Sequence, residues 1–373
     1  MGLTSTKLEV LVGVLTVAAM GCTIWFWPRL AGQNWRMLLA RVGTLLVDQV
    51  LTLLVIGLLV NNYFGFYGSW DDLLGTDTGG APITLASGPH PAQGVQVLSS
   101  RPAQGGRLEQ VIIPGQSTHL SEQAYIWVPN AYTKHKDYRF PVVLALTGYP
   151  GDPRNLITRE DLPNRMARAI AAHQIPASIL VMMRPSVVLP RDTECVDVPK
   201  GPQVLTYFSK DVKQAIEGSF RVAPDREYWG VIGGSTGAYC ALKIAMTHPE
   251  EYAAAVSLSG YYKTIIDRTT GDLFGGDKQV EQQNDLMWRM ANLPAPPVNV
   301  LLTSSRKGEA NYKSTLAFLA AVKPPMQASS MILPSGGHNF NTWDRELPQV
   351  LPWLVQQLHA PAPARLSATA PPS

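Results

Sequence analysis

Charge of either sign is scarce in this chain. Asp, Glu, Lys and Arg make up 16% of its 373 residues, against roughly a quarter in an average soluble domain, so part of the chain is not built to face water. The net charge is +3 with no cluster of Lys or Arg. Nucleic-acid binding needs concentrated positive charge, so that class is set aside. Only three cysteines occur, Cys22, Cys195 and Cys240, each alone in sequence. No histidine pair has ligand spacing, so no metal site is expected. A glycine loop ending in Lys, the phosphate cradle, is missing as well. No cofactor is expected, and no internal repeat is present.

What the chain does have is two apolar stretches near its start, residues 10–27 and 42–66. A spanning helix needs about 20 such residues, so both can cross a bilayer. Cleavage after the first stretch is not expected: the apolar run is too long for a signal peptide, and Ile24-Trp25-Phe26-Trp27 stands where small residues would be needed. The same residues make Cys22 a poor lipidation site. Arg29, Arg36 and Arg41 lie between the spans, and Asp71, Asp72 and Asp77 lie beyond them. The positive-inside rule makes the connection cytoplasmic, with everything after Asp71 outside the cell membrane. Trp25, Trp27 and Trp35 then belong at the inner interface, and Tyr63, Tyr67 and Trp70 at the outer one. A small shift of the span boundaries would bring Asp48 to the Arg-rich interface.

The expected organisation is a membrane anchor over 1–75 in contact with lipid through residues 10–66, a linker over 76–105, a catalytic domain over 106–359 and a disordered tail over 360–373. The linker is rich in Gly, Pro, Ser and Ala without periodicity, and the tail in Ala, Pro and Ser. Between them, strand patterns at 108–113, 124–128, 141–146, 178–183, 228–232, 254–258, 298–303 and 329–333 alternate with helical patterns at 161–173, 204–216, 236–247, 312–322 and 343–358. Most of the strand runs are continuously apolar, as in a parallel sheet covered on both faces. The fold class is therefore α/β, with a mostly parallel eight-stranded sheet, helices on both faces and reactive groups at the carboxyl ends of the strands. No element is assigned to the segment 261–290.

One of these ends carries Gly233-Gly234-Ser235-Thr236-Gly237, a G-x-S-x-G pattern between a strand and a helix. The bare pattern is weak in a Gly-rich chain. The strand-turn-helix setting makes Ser235 a nucleophile candidate lifted above the sheet, rather than an idle serine in a glycine turn. A hydroxyl needs a base. Of the seven histidines only His338, in Pro334-Ser335-Gly336-Gly337-His338-Asn339-Phe340, lies directly after the last strand pattern, His359 bordering the tail. Glu309 is the one carboxylate between Asp285 and Asp344, in the loop after the strand pattern 298–303. It is expected to orient His338; a surface pair with Arg306 or Lys307 is the alternative. The order Ser, acid, His is that of the α/β-hydrolases. Two N–H donors are needed for an oxyanion. The expected pair is Thr236, next after the nucleophile, and Tyr149 in the turn Thr147-Gly148-Tyr149-Pro150-Gly151-Asp152. Asp152 either bonds a substrate hydroxyl or stabilises that turn. Cys195 and Cys240 both fall outside the membrane, where a disulfide between them could persist.

With these residues placed, the region 108–358 resembles the esterase family that contains esterase D and the secreted mycolyltransferases of the mycobacterial cell wall. The matching pieces are the Gly148-Tyr149 turn, the Gly233 to Gly237 elbow and Gly337-His338-Asn339-Phe340-Asn341-Thr342-Trp343. The anchor and Asn61-Asn62-Tyr63-Phe64-Gly65-Phe66-Tyr67 look like those of membrane-bound actinobacterial esterases of this family. The resemblance implies the α/β-hydrolase fold and acyl-ester chemistry, by hydrolysis or by transfer to a sugar or cell-envelope hydroxyl. The chain departs from the secreted enzymes in its anchor and in its loops after Ser259. The readings to separate are thus a membrane-anchored serine esterase, an acyltransferase, a peptidase and a non-catalytic tethered binding module.

Overall fold

The computed structural model describes residues 2–3, 5–32, 34–64, 70–74 and 94–359. Tyr67, Asp77, the tail 360–373 and most of the expected linker lie outside the described residues. The chain divides into two compact units, Met1–Leu85 and Ala86–Ser373.

In the first unit the apolar stretches form helices Thr6–Phe26 and Trp35–Phe64. Thr6–Leu30 and Trp35–Asn62 are long and apolar enough to cross a membrane. Their apolar side chains point outward, with Val17 71%, Ile24 75% and Leu53 62% exposed. Asn62 donates to Glu9 at 2.5 Å and ties the helices together. Asp48 stands midway between Trp35 and Asn62.

The second unit is built on one sheet: β1 (Gln96–Ala103), β2 (Gly106–Pro114), β3 (Ser121–Pro129), β4 (Val142–Leu146), β5 (Ile179–Met183), β6 (Trp229–Gly234), β7 (Ala254–Leu258), β8 (Asn299–Ser305) and β9 (Gln327–Leu333). Their order is β1-β2-β3-β5-β4-β6-β7-β8-β9. The pairs β1–β2, β2–β3 and β3–β5 are antiparallel, and all others are parallel. Among the described residues the sheet thus has nine strands rather than eight. The additional one, β1, lies inside the stretch read as linker. As an edge strand with almost every side chain exposed, it has no apolar alternation to betray it.

Successive side chains of a strand point to opposite faces. Val142, Leu144 and Leu146 accordingly enter one core and Val143 and Ala145 the other, as do Val231 against Ile232 and Val300 and Leu302 against Leu301. That is why these strands are mostly apolar. The helices Val212–Ser219 and Thr236–Thr247 close the first face. On the other, Phe340–Gln356 presents Trp343, Leu347, Val350, Leu351, Leu354 and Val355, the spacing of a single helical stripe, beside Leu162–Ala171. Two short helices, Lys278–Gln283 and Leu286–Asn292, stand in the segment 261–290, the second running on past its end, and are capped by the Asp277 and Asp285 carboxylates.

Candidate active site

β6 runs directly into Ser235, and the helix Thr236–Thr247 begins at the next residue. Ser235 has φ 56° and ψ −121°, a conformation that costs a non-glycine residue of order 1–3 kcal/mol and persists only where the surroundings enforce it. The flanking glycines show what enforces it. A Cβ on Gly237 would lie 2.2 Å from the Thr147 carbonyl oxygen, and one on Gly233 would lie 2.3 Å from the Gly237 backbone. Helix, elbow and the end of β4 are therefore in backbone contact, which only residues without side chains allow. The Ser235 N–H donates to the Leu258 carbonyl at 3.1 Å, fixing the turn to β7.

The loop after β9 brings His338 to this serine, with Nε2 2.8 Å from Oγ. Asn339 caps the following helix by accepting from Thr342 N–H, so the imidazole sits immediately before a fixed helix start. Its edge packs on Trp343, with ring centroids 5.5 Å apart. The Trp343 ring also lies beneath the elbow, where a Cβ on Gly234 would meet it at 3.2 Å. One side of the imidazole faces solvent. Desolvation by the packed side nevertheless pushes its pKa below the ordinary histidine value, and the Glu309 charge opposes that shift. The neutral, proton-accepting form is favoured.

Glu309 lies in the loop after β8, and this loop touches the histidine loop. Gly336 N–H donates to the Lys307 carbonyl at 3.0 Å, and a Cβ on Gly308 would lie 2.0 Å from the Gly336 carbonyl oxygen. Among the described residues no ion pair joins Glu309 to Arg306 or Lys307. Its charge reaches His338, yet neither carboxylate oxygen hydrogen-bonds the ring. Oε1 accepts from the Ser259 hydroxyl, and Oε2 accepts from Ser305 N–H at 3.0 Å.

The turn after β4 closes the other side. A Cβ on Gly148 would lie 3.1 Å from Ser235 Cβ and 3.6 Å from its Oγ. Thr147 Oγ1 donates to the Gly151 carbonyl at 3.0 Å and holds the turn. Tyr149 follows Gly148, and its hydroxyl donates to the Pro190 carbonyl. Thr236 opens its helix, so its N–H is one of the first-turn donors that no helical carbonyl reaches. The Asp152 carboxylate is engaged by Arg154, through N–H at 2.7 Å, Nε at 2.9 Å and Nη2 at 2.7 Å. Burial would raise its pKa, but these bonds and the Arg154 charge hold it below the usual value. Cys195 and Cys240 are joined by a disulfide with a Cα separation of 5.4 Å, tying the loop after β5 to the nucleophile helix.

Several residues around the site carry no signal in the sequence. Ser259 follows β7, Trp343 Nε1 donates to its hydroxyl at 2.9 Å, and its own N–H donates to Thr303 Oγ1 at 3.2 Å. The Thr303 hydroxyl donates to Glu346 Oε2 at 2.8 Å. Glu346 is fully buried, and burial pushes its carboxyl up to about 8, with the neighbouring Glu309 charge adding to the shift. Its neutral form is therefore favoured at pH 7.

A hydroxyl in contact with a neutral imidazole, above a sheet edge and beside a helix amino end, can attack a carbonyl and pass its proton to the ring. The comparisons give a family and a fold. The model of the Esterase family, described as "Putative esterase", matches residues 116–354. An uncharacterized protein of Corynebacterium glutamicum is 26% identical over 267 residues, covering 68% of this chain; the chain spans 62% of the length of that relative. Among solved structures, an S-formylglutathione hydrolase from Agrobacterium tumefaciens is similar with a TM-score of 0.59 at 14% identity, over 71% of this chain and 100% of its own. A ferulic acid esterase is similar with a TM-score of 0.58 at 17% identity, over 69% and 100% respectively. At these identities the likeness establishes the fold, that of an α/β-hydrolase.

Proposed function

We propose that this chain, which belongs to the Esterase family, is a membrane-anchored serine esterase that works through an acyl-enzyme on Ser235. The observation that carries the reading is the 2.8 Å contact between Ser235 Oγ and His338 Nε2 at a strained strand-to-helix elbow. Ser235 attacks an ester carbonyl while His338 takes its proton; the developing oxyanion is met by the N–H groups of Thr236 and Tyr149. Collapse expels the alcohol, which receives the proton from His338. A second acceptor then attacks the acyl-enzyme with His338 again as base. Glu309 stabilises the imidazolium that forms in each half. Asp152, bound to Arg154, serves the turn rather than a substrate hydroxyl. A binding module that does no chemistry has no use for the strained elbow and the aligned base.

Water is the simplest acceptor, and transfer to a sugar or envelope hydroxyl is the second reading, favoured by the two apolar helices that precede the domain. The purified protein is expected to hydrolyse short activated esters and to leave peptide bonds intact. Added sugar alcohols are expected to divert part of the acyl group into new esters. Product partitioning against acceptor concentration decides between the two readings; water taking all of the acyl group at every acceptor level would leave a plain esterase.

The helices Thr6–Phe26 and Trp35–Phe64 are read as the anchor, with the Arg-bearing connection in the cytoplasm and the hydrolase unit outside the cell membrane. Exposed apolar side chains around both helices support contact with lipid, and a Cys195–Cys240 bridge suits an oxidising compartment. Protease added to intact cells is expected to remove the hydrolase unit. Complete protection there, with digestion only after lysis, would reverse the orientation.

A further inference from the structure

We propose that Ser259 is a positioning residue that orients the Glu309 carboxylate for its action on His338; this rests on the reading above that Glu309 acts on that imidazole. Ser259 is 2% exposed and sits at φ 51°, where a non-glycine residue is held against its preference. Glycine would remove the strain but also the hydroxyl, and the hydroxyl is fully used. Trp343 Nε1–H donates to Ser259 Oγ at 2.9 Å, which leaves the single O–H proton directed at Glu309 Oε1. Ser305 N–H holds the other carboxylate oxygen at 3.0 Å.

The support continues behind Ser259. Its N–H donates to Thr303 Oγ1, so the Thr303 proton goes to Glu346 Oε2. Asn311 Nδ2 donates to the adjoining Gly260 carbonyl at 2.9 Å, and the Ser304 hydroxyl donates to Asn311 Oδ1 at 2.8 Å. A Cβ on Gly260 would lie 2.1 Å from Ser257 Oγ, so a larger residue there would have to displace that hydroxyl. Every polar atom of Ser259 that can donate is thus spent between the acid loop and its supports.

A carboxylate accepts about four hydrogen bonds. Held once at each oxygen, Glu309 keeps lone pairs for an imidazole N–H, and two anchors fix its plane. With Ser305 alone the group can rotate about its last bond and lose its alignment with the ring. A base-orienting contact that is loose in the free enzyme tightens when substrate fills the site, and a fixed carboxylate plane is what such tightening requires. Trp343 couples both partners, since its N–H fixes the Ser259 proton and its ring packs against His338.

The test is a double-mutant cycle on the full chain with Ser259→Ala, Glu309→Gln and both together, assayed on an activated ester. Turnover is normalised to the fraction of protein that reacts with a fluorophosphonate. Ser259→Ala is expected to lower kcat on the order of 10-fold, the loss expected from a hydrogen bond to a charged group, with KM changed by less than about twofold. In the Glu309→Gln background the same substitution is expected to change kcat by less than about twofold, because residues acting through one group are not additive. Equal losses in both backgrounds, or no loss from Ser259→Ala alone, would overturn the positioning role while leaving the serine-esterase reading intact. Unchanged turnover in Glu309→Gln alone would instead remove Glu309 from that reading, and this proposal with it. Should Ser259→Ala not fold, Ser259→Gly removes the same hydroxyl while accepting the positive φ, and the identical cycle with it carries the decision.

Discussion

Replacement of Ser235 by Ala is expected to lower kcat on an activated ester by roughly 10⁴ to 10⁶, the range seen when the nucleophile of a serine hydrolase is removed. The loss is large because the reaction then has no covalent route, and water must attack without a bound oxygen in place. The substitution removes only Oγ, and alanine keeps a Cβ at the same position. Binding of the ester is expected to survive, since the turn after β4 and the helix Thr236–Thr247 are held by backbone contacts that do not involve that oxygen. Activity within tenfold of the unaltered protein would end the assignment of Ser235.

The second large effect is expected at His338. His338→Gln keeps a polar side chain of similar reach but cannot take the proton, so kcat is again expected to fall by roughly 10⁴ or more. Combining it with Ser235→Ala is expected to add little, because nucleophile and base act as one unit. The unaltered protein also gives a pH signature. Desolvation lowers the His338 pKa despite the Glu309 charge, so the ring stays neutral to a lower pH than an ordinary histidine at about 6.5. On the acidic side, kcat/KM is expected to fall only below that value, as protonation removes the base. A limb centred well above it would show that the ring is charged in the working enzyme, contrary to the environment described.

How much of this was legible in the sequence depends on whether the signal is local. The parallel strands β4 to β8 could be read because burial on both faces makes them mostly apolar, and the elbow because Gly233 and Gly237 occupy positions where a Cβ would overlap backbone. His338 could be read from its place after the last strand. β1 could not, since an exposed edge strand containing Ser99, Ser100 and Pro102 has the composition of a linker. Lys278–Gln283 and Leu286–Asn292 are too short to establish a helical period. Glu309 was reached by elimination along the chain, which says nothing of its partners. Its bond to Ser259 joins residues 50 positions apart, and Trp343 lies 84 positions from that serine. Asp152 shows the opposite case: its residue type and place suit a substrate contact, but a residue two positions away takes its carboxylate.

The central claim is that an acyl group passes through Ser235. Its most direct measurement is intact-protein and peptide mass spectrometry after rapid quenching of the protein with a slowly turned-over activated ester. The expected result is one acyl group per chain, located on the peptide that contains Ser235, disappearing at the rate of turnover and missing in Ser235→Ala. Full turnover with an unmodified Ser235 peptide, or an acyl group residing on another residue and cleared at the catalytic rate, would contradict it.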